Sequence, residues 1–210
     1  MRRFREDIKL LGNYKTRDLD NLAKRYIREQ VQVSKLKKYI LKEPEFHRIY
    51  FQVSLHQFRT IEEQFSFIEE NFNMLNDWWH VDQLPQFLLP LPLDFAYKKA
   101  QEYVLNLHPF ARRWGYVLFM PTLVKNPGAF DLIISLFHND DEYYVVMAEA
   151  WLISYLAIYY PEKTYEFLAN CTLNYAITGR AIQKICDSFR ISKDVKERYK
   201  KLRPFLKSIR

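Results

Sequence analysis

The chain has 210 residues, 49% hydrophobic and 17% aromatic, enough apolar surface for a real core and too much for an intrinsically disordered chain. Four glycines and nine prolines are too few for an all-β sandwich or a Gly-rich nucleotide-binding α/β fold, which leaves a mostly helical protein. The formal net charge of +7 is spread unevenly: residues 1–43 carry 13 basic and 6 acidic side chains, residues 44–179 carry 8 and 16, and residues 180–210 carry 11 and 3. Two basic ends thus flank an acidic middle, a distribution suited to a polyanion such as nucleic acid if the fold brings the ends to one side.

Helical periodicity runs along nearly the whole chain. Leu19, Leu22, Ala23, Tyr26 and Ile27 share one helical face, as do Leu36, Tyr39 and Ile40, then Phe46, Ile49, Tyr50 and Val53. Pro44 stands where it would open the third of these helices, and Thr60 with Glu63 three residues on is a capping-box signature for a helix over 60–72. Pro85, Pro90 and Pro92 break the chain after a helix over 75–84. Later helices are expected over 93–107, 110–123, 129–137, 142–159, 163–169, 180–188 and 194–202. About a dozen short helices with short connections point to stacked antiparallel pairs, a HEAT-like repeat α-solenoid with a concave groove, built as a single domain over 1–210. A compact irregular helical bundle is the alternative, since no residue-level repeat stands out.

The longest stretch without Asp, Glu, Lys or Arg is Phe167 to Gly179, 13 residues, short of the roughly 18 needed to cross a bilayer, so no membrane partner is expected. No secretory signal follows the basic start, and two cysteines, Cys171 and Cys186, make neither a disulfide framework nor a metal clip. A reduced, cytoplasmic protein is the expectation. Phosphate-loop, dinucleotide, nucleophile-elbow and zincin motifs are absent, and the five histidines are scattered, so neither a metal nor a small-molecule cofactor is expected.

One constellation carries chemistry. Trp78 and Asp82 are four apart and would stand one turn apart on a helix face. Arg113 follows Asp82 by 31 residues and Trp151 follows Arg113 by 38, each close to one helical-hairpin repeat, so successive repeats could set a carboxylate, a guanidinium and two indoles along one concave wall. Taken singly each residue reads as structural: an indole in an apolar helix is more often core than site.

Taken in order, Trp78 to Asp82, the pair Arg112-Arg113 and Trp151 with Pro161 resemble the pattern of the DNA alkylation repair family, the AlkD-like HEAT-repeat DNA glycosylases. The segment 181–192 also resembles that family's last helix and the turn after it, so the likeness spans about 60–203. It implies hydrolytic excision of N-alkylated, cationic purines from duplex DNA by a monomeric protein without cofactor. Asp82 would stabilise the oxocarbenium-like sugar and orient water, Trp78 and Trp151 would pack on the deoxyribose, and Arg113 would hold a flanking phosphate. Two departures stand out. Met147, Glu149 and Ser154 replace basic residues around the second indole, which would place a carboxylate near the groove. The family's early aromatic segment is not found either, Gly12-Asn13-Tyr14 being a poor substitute. These departures support the alternative of a non-catalytic or divergent relative that binds other nucleic-acid structures or a protein partner.

Overall fold

The computed structural model describes residues 2–120 and 122–209, and within them twelve α-helices and four short 3-10 turns with no strand. The all-α expectation therefore holds. The chain divides into two compact units, residues 1–90 and 91–210, each described by itself.

In the first unit, α1 (Arg2–Leu11) and α2 (Thr16–Arg28) are joined through Gly12, whose positive φ of 62° a side chain would disfavour. The periodicity at Leu19, Leu22, Ala23 and Tyr26 becomes the buried face of α2, which packs on α3 (Pro44–Leu55). Pro44 opens α3 as its spacing predicts. The capping box at α4 (Ile61–Glu70) closes both ways: the Glu63 N–H donates to Thr60 Oγ1 at 3.2 Å, and the Thr60 N–H donates to Glu63 Oε2 at 3.1 Å. The expected helix over 75–84 is shorter. Asp77 caps the five-residue α5 (Trp78–Asp82) by accepting from the Trp78 N–H at 2.7 Å, and Pro85 falls in a 3-10 turn, Leu84–Phe87, that follows. Leu36, Tyr39 and Ile40 do not lie on a helix. Only Ser34–Leu36 coils, as one 3-10 turn, while Leu36 and Ile40 are buried, so core contacts satisfy the apolar spacing without a helical ladder.

In the second unit, α6 (Leu93–Tyr103) packs on α7 (Pro109–Val117), α7 on α9 (Tyr143–Tyr159), α9 on α11 (Tyr175–Asp187) and α11 on α12 (Lys193–Ile209). Between them, α8 (Ala129–Ile134) precedes α9, and α10 (Pro161–Asn170) packs against α9 and α12. α9 is apolar almost all round and is buried along most of its length, as such a helix must be. The 110–123 expectation overruns: α7 stops at Val117, and Pro121 lies outside the described residues. Three other helices, α10, α11 and α12, are longer than expected. α11 begins at Tyr175 because the Asn174 side chain accepts from the Ile177 N–H at 3.1 Å. α12 runs through Pro204, with Tyr199, Leu202 and Leu206 buried in a core shared with α10 and α11. Burial on both sides of the proline offsets its missing hydrogen bond.

No helix among the described residues is long and apolar enough to cross a membrane.

Candidate functional site

Asp82 closes α5 on the rim of a cleft of about 390 Å3 within the first unit. Three elements build it: Tyr14, Thr16 and Leu19 from the α1–α2 turn and α2, Pro44, Glu45 and Arg48 from α3, and Trp79, Asp82, Gln83 and Gln86 from α5 and the turn after it. The last four sit at i, i+3, i+4 and i+7, a single helical face. The indole that shares the cleft with Asp82 is therefore Trp79, while Trp78 starts the helix and is 48% exposed. Asp82 itself is half-buried and held by interactions of its own.

Polar anchoring fixes the cleft walls. The Arg48 guanidinium, almost wholly buried, donates to both Asp20 oxygens at 2.7 and 3.1 Å and to Gln83 Oε1 at 3.1 Å, and lies over the Phe87 ring at 5.1 Å. Bidentate pairing of this kind holds a guanidinium rigidly. The Tyr14 hydroxyl donates to Glu45, and that bond, then burial, pushes its pKa up to about 12. Behind Trp79, the His47 and His80 rings stack with centroids 3.6 Å apart and planes 8° from parallel. His47 Nε2 meets the Met74 carbonyl at 3.2 Å, and its Nδ1 meets Gln83 Nε2 at 2.9 Å. Burial pushes His47 down from an ordinary 6.5 to about 2, helped by its neighbour, and burial pushes His80 down to about 4. Both imidazoles are neutral at pH 7, so the cation in the cleft wall is the Arg48 guanidinium, paired with Asp20.

Arg113 and Trp151 lie in the second unit. Arg113 is only 4% exposed, and its Nη1 donates to the Tyr144 carbonyl in the first turn of α9 at 2.6 Å. Trp151 stands two turns further along that face of α9, half-buried, with its ring 5.9 Å from Tyr155. Arg112 is held as firmly, donating to both oxygens of buried Asp140 at 2.7 and 3.3 Å. Glu149 does not add charge to a groove, as the sequence suggested it would. Its side chain is wholly buried, Oε1 accepting from the His138 N–H and the Tyr116 hydroxyl, each at 3.2 Å. Burial raises its pKa to about 8, so the group is a neutral acid at pH 7. Position and neighbours, not residue type, decide its state.

Sequence reasoning missed Trp79, Glu45, Arg48 and Tyr14. Trp79 is next to Trp78 in sequence and three residues before Asp82, the helical-face spacing that marks it. Arg48 carried a weaker signal, a lone arginine within the apolar run of α3.

The family described as DNA alkylation repair enzyme matches the sequence over residues 1–187. The chain belongs to that family. The match includes the N-terminal region, where the aromatic segment was not found, and stops at the last residue of α11. No curated protein and no solved structure matches the chain.

Proposed function

We propose that the protein excises N-alkylated, cationic purines from duplex DNA by hydrolysis of the N-glycosidic bond, acting as a monomer without cofactor. The observation that carries this reading is Asp82: a half-buried carboxylate beside an indole on an open cleft, in a chain of a DNA alkylation repair family. An N-alkylated purine already carries positive charge and leaves with little acid help, so the demand on the protein is stabilisation of an oxocarbenium-like sugar. A single carboxylate that also orients a water meets that demand. Trp78 and Trp151 are assigned to the deoxyribose, and their partial exposure leaves ring surface for it. Arg113 is assigned to a flanking phosphate, a contact that requires it to trade the Tyr144 carbonyl for the phosphate oxygens. These roles fit a HEAT-like α-solenoid in which successive helix pairs share one concave wall.

The test is release of 3-methyladenine and 7-methylguanine from methylated duplex DNA. Wild type releases them, and Asp82→Asn, folded by circular dichroism, loses at least about 100-fold in rate. No release by folded wild type would overturn the excision reading.

The second reading, a non-catalytic relative, is favoured by one specific observation: both arginines of the Arg112-Arg113 pair are already engaged, Arg112 with Asp140 and buried Arg113 with the Tyr144 carbonyl, so a phosphate must displace those partners. It predicts tight binding of unmodified or branched DNA, or of a protein partner, with no base release.

A further inference from the structure

The part of the chain that belongs to the family, residues 1–187, is electrically balanced, with 23 basic and 23 acidic side chains. The remaining 23 residues hold nine basic and two acidic ones, so the whole net charge of +7 resides in α12 and the segments flanking it. Within α12 the charge is ordered. Lys193, Lys196, Lys200, Arg203 and Lys207 follow one another at spacings of three and four residues, and all but half-buried Lys196 are exposed. Such spacing sets side chains on one stripe of a helix, here about 21 Å long at 1.5 Å per residue. One acidic residue borders the stripe: Glu197, four residues after Lys193 and three before Lys200, accepts from Lys200 Nζ at 2.7 Å, while Asp194 projects elsewhere on the turn.

We propose that this stripe of α12 is a docking surface for the phosphate backbone of duplex DNA, a second binding element beyond the residues 1–187 that match the family. Charge complementarity selects a polyanion, and family membership selects DNA. Arg203 is already oriented, donating to the Tyr175 hydroxyl at 3.2 Å and to Gln183 Oε1 at 3.0 Å on α11. The Lys200–Glu197 pair is exposed and exchanges for a phosphate at little cost. A lipid surface is the poorer fit, because interfacial helices need an apolar face to insert, and that face of α12, Tyr199, Leu202 and Leu206, is buried in the core. The proposal rests on the DNA repair membership and is independent of excision by Asp82.

The experiment measures affinity for an unmodified duplex by fluorescence anisotropy between 50 and 200 mM salt, a range chosen on the scale of counterion release. Three proteins are compared: wild type, a quadruple variant with Lys193, Lys196, Lys200 and Lys207 each changed to Gln, and a control with Lys24, Lys35, Lys37 and Lys38 each changed to Gln. The control removes equal charge from exposed positions elsewhere. Each phosphate contact contributes about 0.9 to the slope of log affinity against log salt, so removing four lowers it by about 3.6. Across the salt range wild type should then lose on the order of 100-fold more affinity than the stripe variant, with the control behaving as wild type. The proposal fails if the stripe variant keeps the wild-type slope, if the control loses as much, or if wild type binds phosphatidylserine vesicles in preference to duplex. Far-UV circular dichroism and a urea midpoint establish that the stripe variant is folded. Loss of base release with the slope intact would count against excision alone.

Discussion

Glu149 shows how far a single side chain departs from its usual behaviour inside an apolar helix. Its folded pKa of about 8 lies above the ordinary 4.5, so above pH 4.5 the unfolded chain releases a proton that the folded chain keeps. Stability contributed by this group is present at acid pH and is lost as pH rises toward 8. Replacement by the neutral isostere, Glu149→Gln, is expected to stabilise the protein at pH 7 by as much as about 3 kcal/mol and to flatten the pH dependence between 5 and 8. Urea melts of both proteins at the two pH values check this. An unchanged or lowered midpoint for Glu149→Gln would mean that the carboxylate is ionised and stabilised where it lies. Nothing in the string Ala148-Glu149-Ala150 distinguishes this acid from a solvated one, because the partners that bury it, Tyr116 and His138, lie 33 and 11 residues away.

At the scale of elements, α5 is too short to stand alone and is held on α3 by the His47–His80 stack and the Gln83 bridge. The sign of its pH response is opposite to that of Glu149. Above pH 6.5 both histidines are neutral in either state; below it the unfolded chain takes up protons that the buried imidazoles refuse, so stability falls. A loss of about 2 kcal/mol per histidine is expected at pH 5 relative to pH 7. Measuring it in the Glu149→Gln protein removes the opposing contribution, and a flat profile there would show solvated rings. Elsewhere, α6 and α7 approach closely at Gly115, where an added Cβ would meet Val104 Cγ1 at 2.9 Å and the Val104 backbone nitrogen at 3.3 Å. Gly115→Ala gains helix propensity of about 1 kcal/mol but forces the pair apart. A net loss of about 1–2 kcal/mol is expected as a lower urea midpoint at unchanged slope. The capping box at Thr60 and the Pro44 helix start were legible because both are local. The ends of α5 and α12 were not, since a proline stops one pattern while tertiary burial carries the other through Pro204.

On the scale of the whole molecule, charge and cooperativity are the open quantities. The single-domain reading predicts one calorimetric transition whose van't Hoff and calorimetric enthalpies agree. Two resolved transitions would instead make residues 1–90 and 91–210 separately cooperative. The basic excess at the end of the chain was legible in sequence, and its ordering along one stripe of α12 needed the helix to be defined as far as Ile209. Composition, helical periodicity and capping signals by themselves determined an all-α chain and most of its helices, because these depend on neighbours within one or two turns. Tertiary structure alone decided that Trp79, not Trp78, faces the Asp82 cleft, that Arg113 is buried against α9, and that Glu149 is neutral. Exposure and ionisation depend on groups distant in sequence, and a local pattern fixes neither.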